Sequence, residues 1–398
     1  MRWISGGATA ARGFTAAGLS AGIKPSRKPD LALVAATQRA SAAAVFTTNR
    51  VQAAPVLLSK ARLQNGTARA ILINSGCANC LTGEAGLRDA VVLTRAVAAE
   101  LGVSEREVLV ASTGLIGTRL PVTKIRRAIP TLAAQLHRTR HADAAGAILT
   151  TDLHLKEAAV ETAIGGRAVR VGGMAKGAGM IAPSMATMLC VITTDAAVSP
   201  GLLRTLLRRA VGVTFNRISV DGDMSTNDTV FALASGRSGA TIYPGASAAR
   251  FGRMLEAVME RLSRLIVKDG EGATRLMDVH VTGGRTDAEA QACARQVAGS
   301  PLVKTMLAGG DPNVGRLAAA AGASPARFSP RRLRVWIGRR LVVARGTALR
   351  LDMRLARALL NRPEVAVRID LGAGRGEGRM VTCDLTEDYV RINASYST

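Results

Sequence analysis

Short apolar runs closed by Gly, Asp or Asn alternate along the chain with longer stretches of helical period. The runs "DLALVAA" (30–36), "AILINSG" (70–76), "EVLVAS" (107–112), "LCVITTDA" (189–196), "NRISVDGD" (216–223), "MDVHVTGG" (277–284), "LRVWIG" (333–338) and "EVAVRID" (364–370) predict strands. Between them, "GLRDAVVLTRAVAAELG" predicts a helix stopped at Gly102, and "PVTKIRRAIPTLAAQL" one that starts at Pro121. Two more helices are predicted by "SPGLLRTLLRRAVG" and "AARFGRMLEAVMERLSRLIV". Strands and helices mixed along the whole length predict an α/β or α+β fold, without a repeat period or a low-complexity linker. The Gly283-Gly284 turn is the expected boundary between a main domain, 1–283, and a smaller C-terminal domain, 284–398.

Composition narrows this picture. With 398 residues, 48% hydrophobic and 3% aromatic, the chain has enough material for a large core built from Ala, Val, Leu and Ile. The net charge of +24 would suit a polyanion-binding protein, which is one alternative function class. Against it, arginine supplies most of the positive charge, scattered as singles and pairs such as Arg208-Arg209, with no aromatic residues interleaved to stack bases. Nucleic acid is therefore not an expected partner.

The cysteines Cys77, Cys80, Cys190, Cys293 and Cys383 are odd in number and form no disulfide framework, which points to a reducing compartment and a cytoplasmic protein. Cys77 and Cys80 have C-x-x-C spacing but no second pair and no nearby histidine to complete a zinc tetrahedron, so no metal is expected. The N-terminal stretch lacks acids until Asp30, yet its glycines interrupt any amphipathic targeting helix. No apolar run reaches the length of a membrane span.

Several candidate motifs fail on context. Gly177 to Ala182 matches G-x-G-x-x-A, but Pro183 and the following strand leave no helix to bind a dinucleotide. Asp221-Gly222-Asp223 opens like a calcium loop, but Thr226 and Ala232 stand where glycine and glutamate are needed. The four histidines, His137, His141, His154 and His280, are scarce material for a Ser-His-Asp device. Many Gly-bracketed Ser, Thr and Asn residues beside few histidines suit an acyltransferase or hydrolase whose base is not a side chain. An N-terminal threonine meets that need, because its α-amine has an ordinary pKa of about 7.7–8.0 and accepts the hydroxyl proton near neutrality. Thr187, after the small-residue run "KGAGMIAPSMA", is placed for its hydroxyl to reach the Ala186 carbonyl and liberate itself.

"KGAGMIAPSMATML" (176–189) resembles the self-cleavage segment of the ornithine acetyltransferase family, whose bifunctional members are glutamate N-acetyltransferases of arginine biosynthesis. The resemblance spans the chain in the family's order: "FTTNRVQAAPV" (46–56), "INSGCANCLTG" (73–83), "ASTGLIG" (111–117), "TTD" (150–152), "DGDMSTND" (221–228), "VKDGEGATR" (267–275) and "NASYST" (393–398). Cys77, Cys80 and Met224 depart mildly from the family pattern. The resemblance implies two packed β-sheets sandwiched between helices, like N-terminal-nucleophile hydrolases, with a smaller C-terminal α/β domain. It implies cleavage of the Ala186-Thr187 bond into an α chain, 1–186, and a β chain, 187–398, pairing as α2β2.

Carried over by residue, the resemblance makes Thr187 the nucleophile and Thr113 with Gly114 the oxyanion site. Lys176, Glu271, Asn393 and Thr398 become substrate-binding residues, together with Thr150 or Thr151, of which spacing favours Thr150. The implied reaction moves acetyl from N-acetylornithine to glutamate through acetyl-Thr187, without cofactor or metal, with acetyl-CoA as a further candidate donor. A self-cleaving aminopeptidase of the same fold is the alternative.

Overall fold

The computed structural model of the chain describes residues 1–182 and 188–395. In chain order its strands are β1 (Arg2–Ile4), β2 (Phe14–Leu19), β3 (Leu31–Phe46), β4 (Thr67–Cys77), β5 (Val108–Leu115), β6 (Lys156–Ile164), β7 (Arg167–Lys176), β8 (Leu189–Thr194), β9 (Ala197–Val198), β10 (Ile218–Ser219), β11 (Thr229–Ala234), β12 (Thr241–Ile242), β13 (Leu276–Gly284), β14 (Arg334–Ile337), β15 (Arg340–Ala344), β16 (Thr347–Ala348), β17 (Glu364–Asp370) and β18 (Gly376–Cys383). The helices are α1 (Ala54–Arg62), α2 (Gly83–Leu101), α3 (Val122–Ala134), α4 (His141–Ala147), α5 (Pro200–Val213), α6 (Ala246–Lys268), α7 (Asp287–Gly299), α8 (Pro301–Gly309), α9 (Gly315–Gly322), α10 (Met353–Leu360) and α11 (Glu387–Ala394).

The principal sheet of the described residues runs β1-β6-β7-β8-β11-β3-β4-β5, with β2 also paired to β3. Side chains alternate between its faces. On β4, Ala70 and Leu72 join Leu93 and Val97 of α2 and Ile125 and Ile129 of α3. Its other face, Ile71 and Ile73, meets Met174, Val191, Phe231 and Leu233 from the far half of the sheet. In that half the remaining face, Cys190, Ile192, Val230 and Ala232, lies under Leu203 and Leu207 of α5 and Leu255 and Leu262 of α6. Two β layers thus enclose one small-residue core, with helices outside each.

Strand β3 belongs to both layers. Leu31, Leu33 and Ala35 face the α2 and α3 side, whereas Ala43 faces the α5 and α6 side. The pairing with β4 slips between Ala35 and Ala40, where the strand changes layer. Its C-terminal half pairs antiparallel with β11, from Phe46 opposite Thr229 to Ser41 opposite Ala234. Strand β8 lies between β11, to which it is parallel, and β7, to which it is antiparallel. The β6–β7 hairpin turns through Gly165 and Gly166, at φ 57° and 74°, the two left-handed positions that such a two-residue turn requires.

A second sheet runs β10-β18-β13-β17-β14-β15-β16, so Leu276–Gly284 occupy its interior between β17 and β18. Val279, Val281, Val367 and Met380 pack there against Val297 of α7, Leu307 of α8 and Leu317 of α9. The predicted strand 216–223 shortens to the two residues of β10 because its later backbone is diverted: Val220 N–H donates to Ile181 O at 2.9 Å, away from the sheet. No helix of the described residues is long and apolar enough to cross a membrane.

Candidate functional site

One pocket collects Thr113, Gly114, Thr150, Thr151, Lys176, Glu271 and Asn393 from segments far apart in the sequence. Thr113 and Gly114 end β5, where Gly114 has φ 125° and a Cβ would lie 2.3 Å from the Gly76 carbonyl carbon, so glycine alone fits. Lys176 ends β7, Glu271 follows α6, and Asn393 sits in the last turn of α11. Ala186, Thr187 and Thr398 lie outside the described residues. The residue after Thr187 is firmly held: Met188 N–H donates to Asp228 Oδ1 at 2.9 Å, and Met188 O accepts from Thr229 N–H at 3.1 Å.

Opposite charges face this pocket. The Lys176 Nζ donates to Thr150 Oγ1 at 2.7 Å and to Thr113 Oγ1 at 3.4 Å, with Asp152 Oδ2 at 3.7 Å. Burial pushes Lys176 below its ordinary value, and Asp152 opposes that shift. Burial alone would raise Asp152, but the Lys176 and Lys156 ammoniums outweigh it and hold the carboxyl well below the usual range. Asp228 is fully enclosed, and burial drives its carboxyl well above the usual value despite the Met188 N–H. Lys24, anchored on Leu149 O at 2.7 Å, is pushed down to about 8 by burial.

The segment leading toward Thr187 is fixed by two acidic residues, Asp221 through its carboxylate and Glu271 through its backbone N–H. Asp221 accepts from Met180 N–H at 2.6 Å and Ile181 N–H at 2.8 Å, and holds Met180 at φ 57°. Tyr389 of α11 donates to the same carboxylate at 3.3 Å. Glu271 binds through its own N–H to Ala178 O at 2.9 Å, while its Oε2 accepts from Asn393 Nδ2 at 2.7 Å. The C-terminal helix therefore contacts both of these acidic residues, through Tyr389 and Asn393. Among the described residues no group of three or more His, Cys, Asp and Glu is arranged to hold a metal ion.

The profile of the ArgJ family matches residues 15–398. The chain belongs to that family. It is 50% identical to an "Arginine biosynthesis bifunctional protein ArgJ" of Synechococcus sp., over 99% of this chain and 98% of that protein. A protein of the same name from Symbiobacterium thermophilum is 47% identical over 100% of both chains. Among solved structures, the arginine biosynthesis bifunctional protein argJ from Bacillus halodurans is 40% identical, with a TM-score of 0.50, covering 52% of this chain and 98% of that one.

Family membership does not by itself assign the side chains, and the geometry brings in residues that sequence reasoning left without a role. Asp152 stood inside the quoted "TTD" and Asp221 and Asp228 inside "DGDMSTND", but a carboxylate's partners are invisible in a string of letters. Asn227 likewise lines the pocket, its Nδ2 donating to Ala78 O at 2.7 Å and Ser112 O at 2.9 Å and so tying β5 to its neighbours. Lys156 carried no signal beyond being a lysine at the start of an apolar strand, and it is 1% exposed.

Proposed function

We propose that the protein transfers acetyl from N-acetylornithine to glutamate through an acetyl-Thr187 intermediate, in arginine biosynthesis. The observation that carries this reading is the single pocket in which Thr113 and Gly114 face both a cation, Lys176, and an anion, Glu271. N-acetylornithine has a carboxylate and a distal ammonium, and that pair of charges complements Lys176 and Glu271. The Thr187 hydroxyl attacks the acetyl carbonyl and gives its proton to the Thr187 amine; the Thr113 hydroxyl and Gly114 N–H stabilise the oxyanion. Collapse of the intermediate expels ornithine, which takes that proton, and the amine of glutamate then attacks the acetyl ester. Thr150, Thr151, Asn393 and Thr398 complete the substrate contacts.

Liberation of the Thr187 amine requires cleavage after Ala186. In support, the Bacillus halodurans chain is matched over 98% of its own length while spanning 52% of this one, as a fragment cut near mid-chain would be. The fragments pair as α2β2 in this reading, and acetyl-CoA is a second donor, in line with relatives named bifunctional. The test is to incubate purified protein with N-acetylornithine alone and map the acetyl group by mass spectrometry, then add glutamate. Acetyl on the peptide beginning at Thr187, discharged as N-acetylglutamate, supports the proposal. Release of free amino acids from amino-acid amides without acetyl transfer would establish the aminopeptidase alternative.

A further inference from the structure

Behind the pocket wall lies a buried row of alternating charges. Asp269 Oδ2 accepts from Lys156 Nζ; Lys156 Nζ donates to Asp152 Oδ1 at 2.7 Å; Asp152 Oδ2 lies 3.7 Å from Lys176 Nζ. The side chains of these four residues are at most 4% exposed. Asp152 also accepts from Gly177 N–H at 2.6 Å and Thr150 N–H at 3.0 Å, and from the Thr150 hydroxyl at 3.4 Å. It therefore touches Gly177, the next residue in the chain after Lys176, Thr150 of the pocket wall, and Lys176 itself.

The direction of these hydrogen bonds matters. An ammonium has three donors and no acceptor, so a charged Lys176 makes Thr113 Oγ1 an acceptor and leaves the Thr113 proton free for the pocket. A neutral Lys176 keeps two N–H donors and gains a lone pair, which competes with the pocket for that proton. The charge on Lys176 thus sets how freely Thr113 serves as an oxyanion donor. A buried ammonium keeps its charge only with a nearby anion, and the charged groups around it are Asp152, Lys156, Glu271, Asp228 and Lys24.

We propose that Asp152, held from behind by Lys156 and Asp269, is a positioning residue that keeps Lys176 charged and so turns the Thr113 hydroxyl toward the oxyanion. The proposal rests on the acetyl-transfer reading above. It makes a signed prediction, because the row alternates. Removing the Asp152 charge destabilises the Lys176 ammonium, whereas removing the Lys156 charge relieves repulsion on it.

The experiment measures kcat/KM for N-acetylornithine against pH in self-processed wild-type, Asp152→Asn and Lys156→Met enzymes, with thermal melting as the check on folding. Substrate ionisation is common to all three; Lys24, which also feels Asp152, is removed from the comparison by repeating the series in a Lys24→Met background. The alkaline limb is expected to move to lower pH in Asp152→Asn, by roughly 1–3 units, and to higher pH in Lys156→Met. A merely structural role would lower activity without moving the limb in opposite directions. If either variant does not fold, Asp269→Asn reads the row from its far end, with a smaller acidic shift expected because Lys156 is then unbalanced. Limbs that stay fixed, or move the same way in Asp152→Asn and Lys156→Met, overturn the proposal. Wild-type enzyme that transfers no acetyl overturns the acetyl-transfer reading instead, a result distinguishable from unshifted limbs in active enzyme.

Discussion

Gly179 has no side chain because the Glu271 carboxylate occupies its place: a Cβ there would lie 2.2 Å from Glu271 Oε2. Gly179→Ala must therefore push Glu271 away from Asn393. The KM for N-acetylornithine is expected to rise about tenfold, equivalent to ~1.4 kcal/mol of binding, with a smaller change in kcat. Steady-state kinetics of the processed variant check this, and an unchanged KM would remove Glu271 from the substrate contacts.

Thr113 and Gly114 make a different kind of prediction. An oxyanion donor acts only as charge develops, so Thr113→Ala should lower kcat by about 10²–10³ while binding of N-acetylornithine changes little. Burst kinetics of enzyme acetylation separate the two effects. A change confined to KM would assign Thr113 to substrate positioning.

Self-cleavage is read on a denaturing gel. Wild-type protein is expected as two bands of similar size, the second beginning Thr-Met-Leu-Cys. Thr187→Ala should remain one inactive chain, since it lacks both the attacking oxygen and the freed amine. Thr187→Ser keeps an oxygen and should process slowly. Active, uncleaved wild-type protein would contradict the assignment of the α-amine as base.

Asp221 links Met180 and Ile181 to the C-terminal helix, which would couple that helix to the proposed cleavage. Asp221→Ala leaves the Met180 and Ile181 N–H groups without their acceptor; Met180 is exposed, but Ile181 is fully buried, and a buried donor left unpaired costs about 1–3 kcal/mol. Slower appearance of the two fragments is expected. Tyr389→Phe removes one donor to the same carboxylate and should slow it less. Identical processing rates in wild-type and Asp221→Ala protein would mean that this carboxylate does not hold the segment for cleavage.

Much of this was legible in the sequence, and what was not has identifiable causes. Strands such as β4 and β8 announce themselves because both their faces are apolar, and helices such as α2 and α6 because one face of each is. The short helices α4 and α9 do not: they are mostly alanine and glycine, whose spacing carries little periodic contrast. Thr150 bonds Lys176 while Thr151 only lines the pocket, a difference of orientation that adjacent identical letters hide. Lys156 carries no signal in the sequence because its burial depends on Asp269, which arrives from a distant part of the chain to join Asp152, four residues before it.

The bend in β3 has a consequence for the fate of the cut protein. Because β8 is hydrogen-bonded to β7 on one side and β11 to the second half of β3 on the other, the stretch before residue 186 and the stretch after it are woven into one sheet. Breaking the connecting peptide removes a tether without opening an interface. Fragments left by the proposed cleavage would stay associated by strand pairing and a shared core, so that dilution would not part them and only unfolding would. In that reading the cut changes the chemistry at one amine and leaves the sheet that joins the two halves intact.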